Sequence, residues 1–92
     1  MRMIIIYAMT LFHLAPGDSA RVTGFRGGHG IRRNLNQLGI HIGDVVHLAG
    51  RGAFRGPVLI DVHGVRVALG RGVAHHVLVE RMPVPGESSS DA

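Results

Sequence analysis

Seven histidines hold most of the potential chemistry of this chain: His13, His29, His41, His47, His63, His75 and His76. Neutral imidazole suits zinc, iron, copper and nickel, so metal binding is the first chemistry they suggest. None of them stands in a closed ligand spacing with its partners, and the chain has no cysteine to supply thiolates. His75 and His76 are neighbours that would point to opposite faces of a strand, so only a turn lets them grip one ion. With His29, which sits between glycines, they are the candidate ligands for Fe(II) or Zn(II), within one molecule or bridging two. Solvated surface histidine is the competing reading for each of them, and no cofactor is required.

The run Gly27-Gly28-His29-Gly30 could offer free backbone N–H groups to an anion ahead of a helix. No Lys-Ser/Thr pair follows it, no βαβ frame surrounds it and no ribose-binding acid lies at the expected distance, so it reads as a hinge. Ser19 has no evident base, and Asp18, Asp44 and Asp61 carry no paired-carboxylate signature. The residues therefore predict no enzyme. Positive charge comes from 10 arginines and no lysine, against 6 acidic residues. Arg26, Arg32 and Arg33 flank or occupy a predicted helix, and Arg51 and Arg55 belong to a glycine-rich loop. Together they form a candidate docking patch for an acidic partner, with Phe54 or Leu59 as an apolar anchor. A solvated basic surface is the alternative for any one of these arginines.

The elements that position these groups follow from hydrophobic spacing. Ala15 to Asp18 is a turn, and Ser19 to Phe25 alternates Ala20 and Val22 against Arg21 and Thr23 as a first strand, interrupted by a bulge at Gly24. Ile31, Leu35 and Leu38 fall on one face of a helix that Gly39 stops, with Ile40 packing back on it. Val46 with Leu48, then Val58, Ile60 and Val62, then Val65, Val67 and Leu69, then Val77 with Val79 mark four more strands. Gly50 to Pro57 is a long loop, Gly64 turns a hairpin, and residues 70–74 leave room for a short turn. A parallel sheet would need a crossover between each strand pair, which these spacings do not allow. The prediction is a mostly β fold: a small SH3-like antiparallel barrel of about five strands, with one short α-helix inserted after the first.

The composition agrees with sheet, with 11 Val, 8 Leu and 7 Ile against 3 Phe, 1 Tyr and no Trp. At 92 residues one core is possible and two are not. Residues 9–81 are expected to form the barrel domain and residues 82–92 a flexible, serine-rich tail. Residues 1–8 form an apolar extension with neither the charge nor the cleavage site of a signal peptide, and are too short to span a membrane. An added strand or arm, or an upstream start before Met9, is the expected reading. Such an arm makes a strand-exchanged homodimer conceivable.

Several motifs in order carry a family resemblance: Gly17-x-x-Ala20-x-Val22, Gly27-Gly28-x-Gly30-Ile31-Arg32-Arg33-x-Leu35, Leu38-Gly39-Ile40-x-x-Gly43-Asp44-x-Val46, Gly56-Pro57-Val58, Val62-x-Gly64-x-Arg66-Val67-Ala68-Leu69 and Val77-x-Val79. Over residues 9–81 they resemble the FeoA family of bacterial ferrous-iron transport accessory proteins. The resemblance implies an SH3-like barrel in the cytoplasm, peripheral to the inner membrane through its partner FeoB, an iron permease with a GTPase domain. It also implies an association with transition metals. Gly70-Arg71-Gly72 stands where many relatives have a charged helical turn. A nucleic-acid-binding barrel and a histidine-based metal carrier or sensor are the alternatives. The scarcity of stacking aromatics, with Phe12, Phe25, Phe54 and Tyr7 alone available, speaks against nucleic acid.

Overall fold

In the computed structural model, which describes residues 9–52 and 56–82, alternation of buried and exposed residues sets the frame. Among the described residues, six strands form one antiparallel sheet: β1 (Met9–Thr10), β2 (Ser19–Phe25), β3 (Val45–Arg51), β4 (Val58–Val62), β5 (Val65–Leu69) and β6 (Val77–Met82). Their order across the sheet is β1-β6-β2-β3-β4-β5. Ala20 and Val22, Val46 and Leu48, Val58 and Ile60, and Val77 each lie at 1% exposure or less and join a single core. Register slips between Val22 and Gly24 and between Leu48 and Gly50 mark irregularities in β2 and β3. Such bulges bend and twist a strand, which lets a short sheet curl around one core in the SH3-like manner the sequence predicts.

Between β2 and β3 runs α1 (His29–Gln37), followed by its C-cap Leu38. Its end is a Schellman motif: Ile40 N–H donates to Leu35 O at 3.0 Å, and Gly39 N–H to Asn36 O at 3.0 Å. Gly39 holds φ +91°, where a Cβ is strained even in open space. Leu35 and Ile40 are fully buried on either side of this stop. Replacing Gly39 by Ala is expected to lower stability by about 1 kcal/mol, read as a shift of the urea midpoint; an unchanged midpoint would refute the strain argument.

Several sequence expectations change. The expected five strands gain a sixth, because Met9 and Thr10 pair with Val79 and Leu78. Two residues carry too little alternation to be read as a strand. Thr10 also caps a 3₁₀ turn over Leu11–His13, and its N–H donates to His13 Nδ1 at 3.0 Å. Leu38, expected on the core face of the helix, is 43% exposed, because the chain leaves α1 there and Ile40 takes the buried place. Val65 is 60% exposed at the first position of β5, the last strand in the sheet order. Residues Arg71–Ala74 form a one-turn helix, α2, despite Gly70 before it and Gly72 within it. β3 runs through Arg51, so the expected long loop starts at Gly52, whose N–H donates to Pro57 O at 2.8 Å. A Cβ on Gly52 would meet Pro57 Cδ at 2.9 Å, so this loop neck depends on glycine. β6 reaches Met82. The expected apolar arm and dimer contact (residues 1–8), Phe54 and Arg55, and the tail from residue 83 lie outside the described residues.

Candidate functional site

The passage from β2 into α1 builds the most distinctive surface. Arg26 N–H donates to His76 O at 2.8 Å and ties the hinge to the residue just before β6. Gly27 follows at φ +94°, so close to the His76 ring and Ile31 that a Cβ would stand 3.3 Å from each. Gly28 is the N-cap of α1 and brings no side-chain cap. The helix then buries Leu35 and half-buries Ile31, which leaves His29, Arg32, Arg33 and Gln37 exposed on its outer side.

Two shallow depressions meet on this outer side. One, of about 310 Å³, takes its apolar lining from Phe25 and Ile42, its polar lining from His29 and Arg32, and backbone from the hinge glycines. The second, of about 420 Å³, shares His29 and Arg32 and adds Arg33, Asn36 and Gln37. Leu38 and Ile42 are 43% and 48% exposed, respectively. Among the described residues, Arg26, Arg32 and Arg33 have no carboxylate within ion-pair distance, whereas Arg66 pairs with Asp61 at 2.9 Å and Arg81 with Asp18 at 3.7 Å. This charge is available to a partner.

Arg51, counted by sequence with the same patch, is used inside the fold. Its Nη2 donates to Phe12 O at 2.7 Å and Leu14 O at 2.6 Å, and its guanidinium lies 4.8 Å from the Phe12 ring centroid. His75 stacks on that same ring at 4.2 Å, while His76 Nδ1–H donates to Gly72 O at 2.7 Å. The two neighbouring histidines are thus turned to different partners. Among the described residues no group of three or more His, Asp or Glu side chains is placed to hold a metal ion. The expected set of His29, His75 and His76 is therefore not assembled as a metal centre there.

Two pairings escaped sequence reading because they join residues far apart in the sequence. Ser19 Oγ lies 2.9 Å from His47 Nδ1, so the serine does have an imidazole neighbour. Asp61, opposite His47 in the β3–β4 register, is engaged by Arg66 through both carboxylate oxygens, at 2.9 and 3.3 Å. It therefore does not orient His47 as the acid of a hydrolytic triad would. Asp44 is the second case: it accepts His41 N–H at 2.8 Å and lies 3.1 Å from His63 Nε2. His63, at φ 54°, is a corner residue of the β4–β5 hairpin, so this pair links that hairpin to the start of β3. Partial burial raises the Asp44 carboxyl, but the His41 N–H and the His63 and His41 imidazoles outweigh it and hold the carboxyl below its ordinary value. A lowered folded value stabilises the fold above the unfolded value near 3.8 and loses that contribution as pH falls through the folded value. The stability gap between the native protein and Asp44→Asn is therefore expected to close on acidification in urea melts; a gap independent of pH would refute this role.

The fold is a small SH3-like barrel with an exposed, arginine-bearing helix face. The FeoA domain model matches residues 9–81, and the chain belongs to the FeoA family, which is associated with ferrous iron transport. It is similar to an iron uptake regulatory protein, FeoA, at 32% identity over 84% of this chain and 100% of the other, with a TM-score of 0.75. It is also similar to Stenotrophomonas maltophilia FeoA complexed with zinc, described as a prokaryotic SH3 domain protein, at 35% identity over 79% and 91% with a TM-score of 0.68. ScaR with bound Cd²⁺ shares the fold at 18% identity, over 80% of this chain and 35% of the other, with a TM-score of 0.73. No curated protein matches the chain. No helix among the described residues is long and apolar enough to cross a membrane.

Proposed function

We propose that the chain is a cytoplasmic accessory protein of bacterial ferrous iron uptake that binds the cytosolic part of a FeoB-like permease and regulates it, without catalysing a reaction or carrying iron through the bilayer itself. The observation that carries this reading is the arginine face of α1, which meets no carboxylate among the described residues and borders an open, partly apolar depression. A surface with unspent charge beside exposed aliphatic side chains suits docking on another protein. Membership of an iron-transport family supplies the context. The test is a pull-down of the permease's GTPase domain and cytosolic segments on the immobilised chain. Retention above a charge-matched control is expected. Retention no better than that control would overturn the proposal, and selective retention of an oligonucleotide instead would favour the nucleic-acid alternative.

A further inference from the structure

We infer that the depression between the glycine hinge and Ile42 receives a single apolar side chain from an acidic protein segment, whose carboxylates pair with Arg32 and Arg33. This rests on the reading of the chain as a docking module and assigns the surface and the partner chemistry. Three observations converge. The depression is lined by Phe25 and Ile42, and at about 310 Å³ it has room for one aliphatic or aromatic group. Arg32 lines both depressions and Arg33 the second, so cationic groups stand beside the apolar seat. Ile42 at 48% and Leu38 at 43% exposure are among the large hydrophobic residues left most open to solvent. Charge complementarity therefore calls for carboxylates around an apolar anchor, the arrangement that gives register and association rate to protein interfaces.

A phosphate backbone would use the same arginines, but single-strand readers add aromatic platforms for base stacking. Here the neighbouring exposed hydrophobic groups, Leu38 and Ile42, are aliphatic, and the exposed ring beside them is the small imidazole of His29. Phe25 is half-buried at the end of β2, and Phe12 is already covered by His75 and Arg51. The occupant is accordingly a protein segment.

The probe is a short fluorescent peptide of aspartate and glutamate with one central leucine, titrated at low salt and followed by anisotropy. Arg32→Glu/Arg33→Glu is expected to weaken binding by roughly tenfold or more, and Ile42→Ser or replacement of the peptide's leucine by serine by several-fold. Thermal melts are the control, with the midpoints of these exposed variants expected to stay at the native value. Equal affinity for the peptide without leucine, or for the double arginine variant, overturns the assignment. So does tighter, arginine-dependent binding of a thymidine oligonucleotide or of phosphatidylglycerol-containing vesicles. The permease pull-down separates the two levels of the argument. If the native chain and the double variant retain the cytosolic segments equally, the function stands and this surface falls. If only the peptide binds, and binds through the arginines, the surface stands and the permease reading falls.

Discussion

Truncation of Leu35 to Ala is expected to remove about 2 to 5 kcal/mol of folding free energy and to unseat the docking face with it. A chain of 92 residues has a total stability of roughly 5 to 14 kcal/mol, so this one change consumes a large part of it. The magnitude follows from position. Leu35 is the fully buried residue of α1, and its carbonyl accepts the Ile40 N–H that stops the helix. Losing its side chain opens a cavity where helix, stop motif and sheet meet, and no neighbouring apolar side chain on α1 beyond half-buried Ile31 can fill it. Leu38→Ala is the matched control. It deletes the same atoms from a side chain 43% exposed, so its cost should stay below about 1 kcal/mol. Urea unfolding by circular dichroism compares the two, and similar losses from both would contradict the burial described for α1.

The contrast between these leucines also shows what could be read from the sequence. Ile31, Leu35 and Leu38 share helical spacing, but spacing cannot say where the helix leaves the sheet, and Gly39 turns the chain before Leu38 reaches the core. Local signals were read correctly wherever the determinant is local: the Gly39 stop, the Gly24 irregularity in β2, and the inward faces of β2 and β4. The arginine face of α1 was legible for the same reason, since helical periodicity alone puts Arg33 opposite Leu35 and Arg32 at the edge of the apolar stripe. The missing half of the candidate site is long-range. Ile42 and Phe25 become neighbours only when β2 and the loop after α1 are both in place. Ser19 meets His47 across 28 positions, and Asp44 meets His63 through a hairpin corner that no pattern in either segment announces.

Replacing Arg51 by Ala is expected to destabilise the fold by about 1 to 2 kcal/mol while leaving docking by the α1 face unchanged in the folded molecules. Sequence grouped Arg51 with the basic patch, yet its Nη2 donates to two carbonyls 39 and 37 positions earlier in the chain. Those carbonyls, of Phe12 and Leu14, belong to the turn that carries the chain from β1 toward β2, and both stay without that guanidinium donor if Ala stands at 51. Charge-assisted bonds of this kind exceed neutral ones in strength, although solvent exposure of Arg51 moderates the loss. Stacking on Phe12 at 4.8 Å adds a cation–π contribution that is also deleted. Arg51→Lys separates charge from geometry. An ammonium preserves the net charge but cannot reproduce the planar fork over the ring while reaching both carbonyls, so it should restore less than half of the lost stability. Melting temperatures are expected to fall by roughly 5 to 15 °C for the Ala variant, at 4 to 8 °C per kcal/mol in a domain of this size. An Arg51→Ala protein as stable as the native one, but unable to retain the permease segments, would return this residue to the docking surface. Loss of stability with docking intact would instead fix that surface on the helix face, with Arg51 as the tie between the end of β3 and the entry to β2.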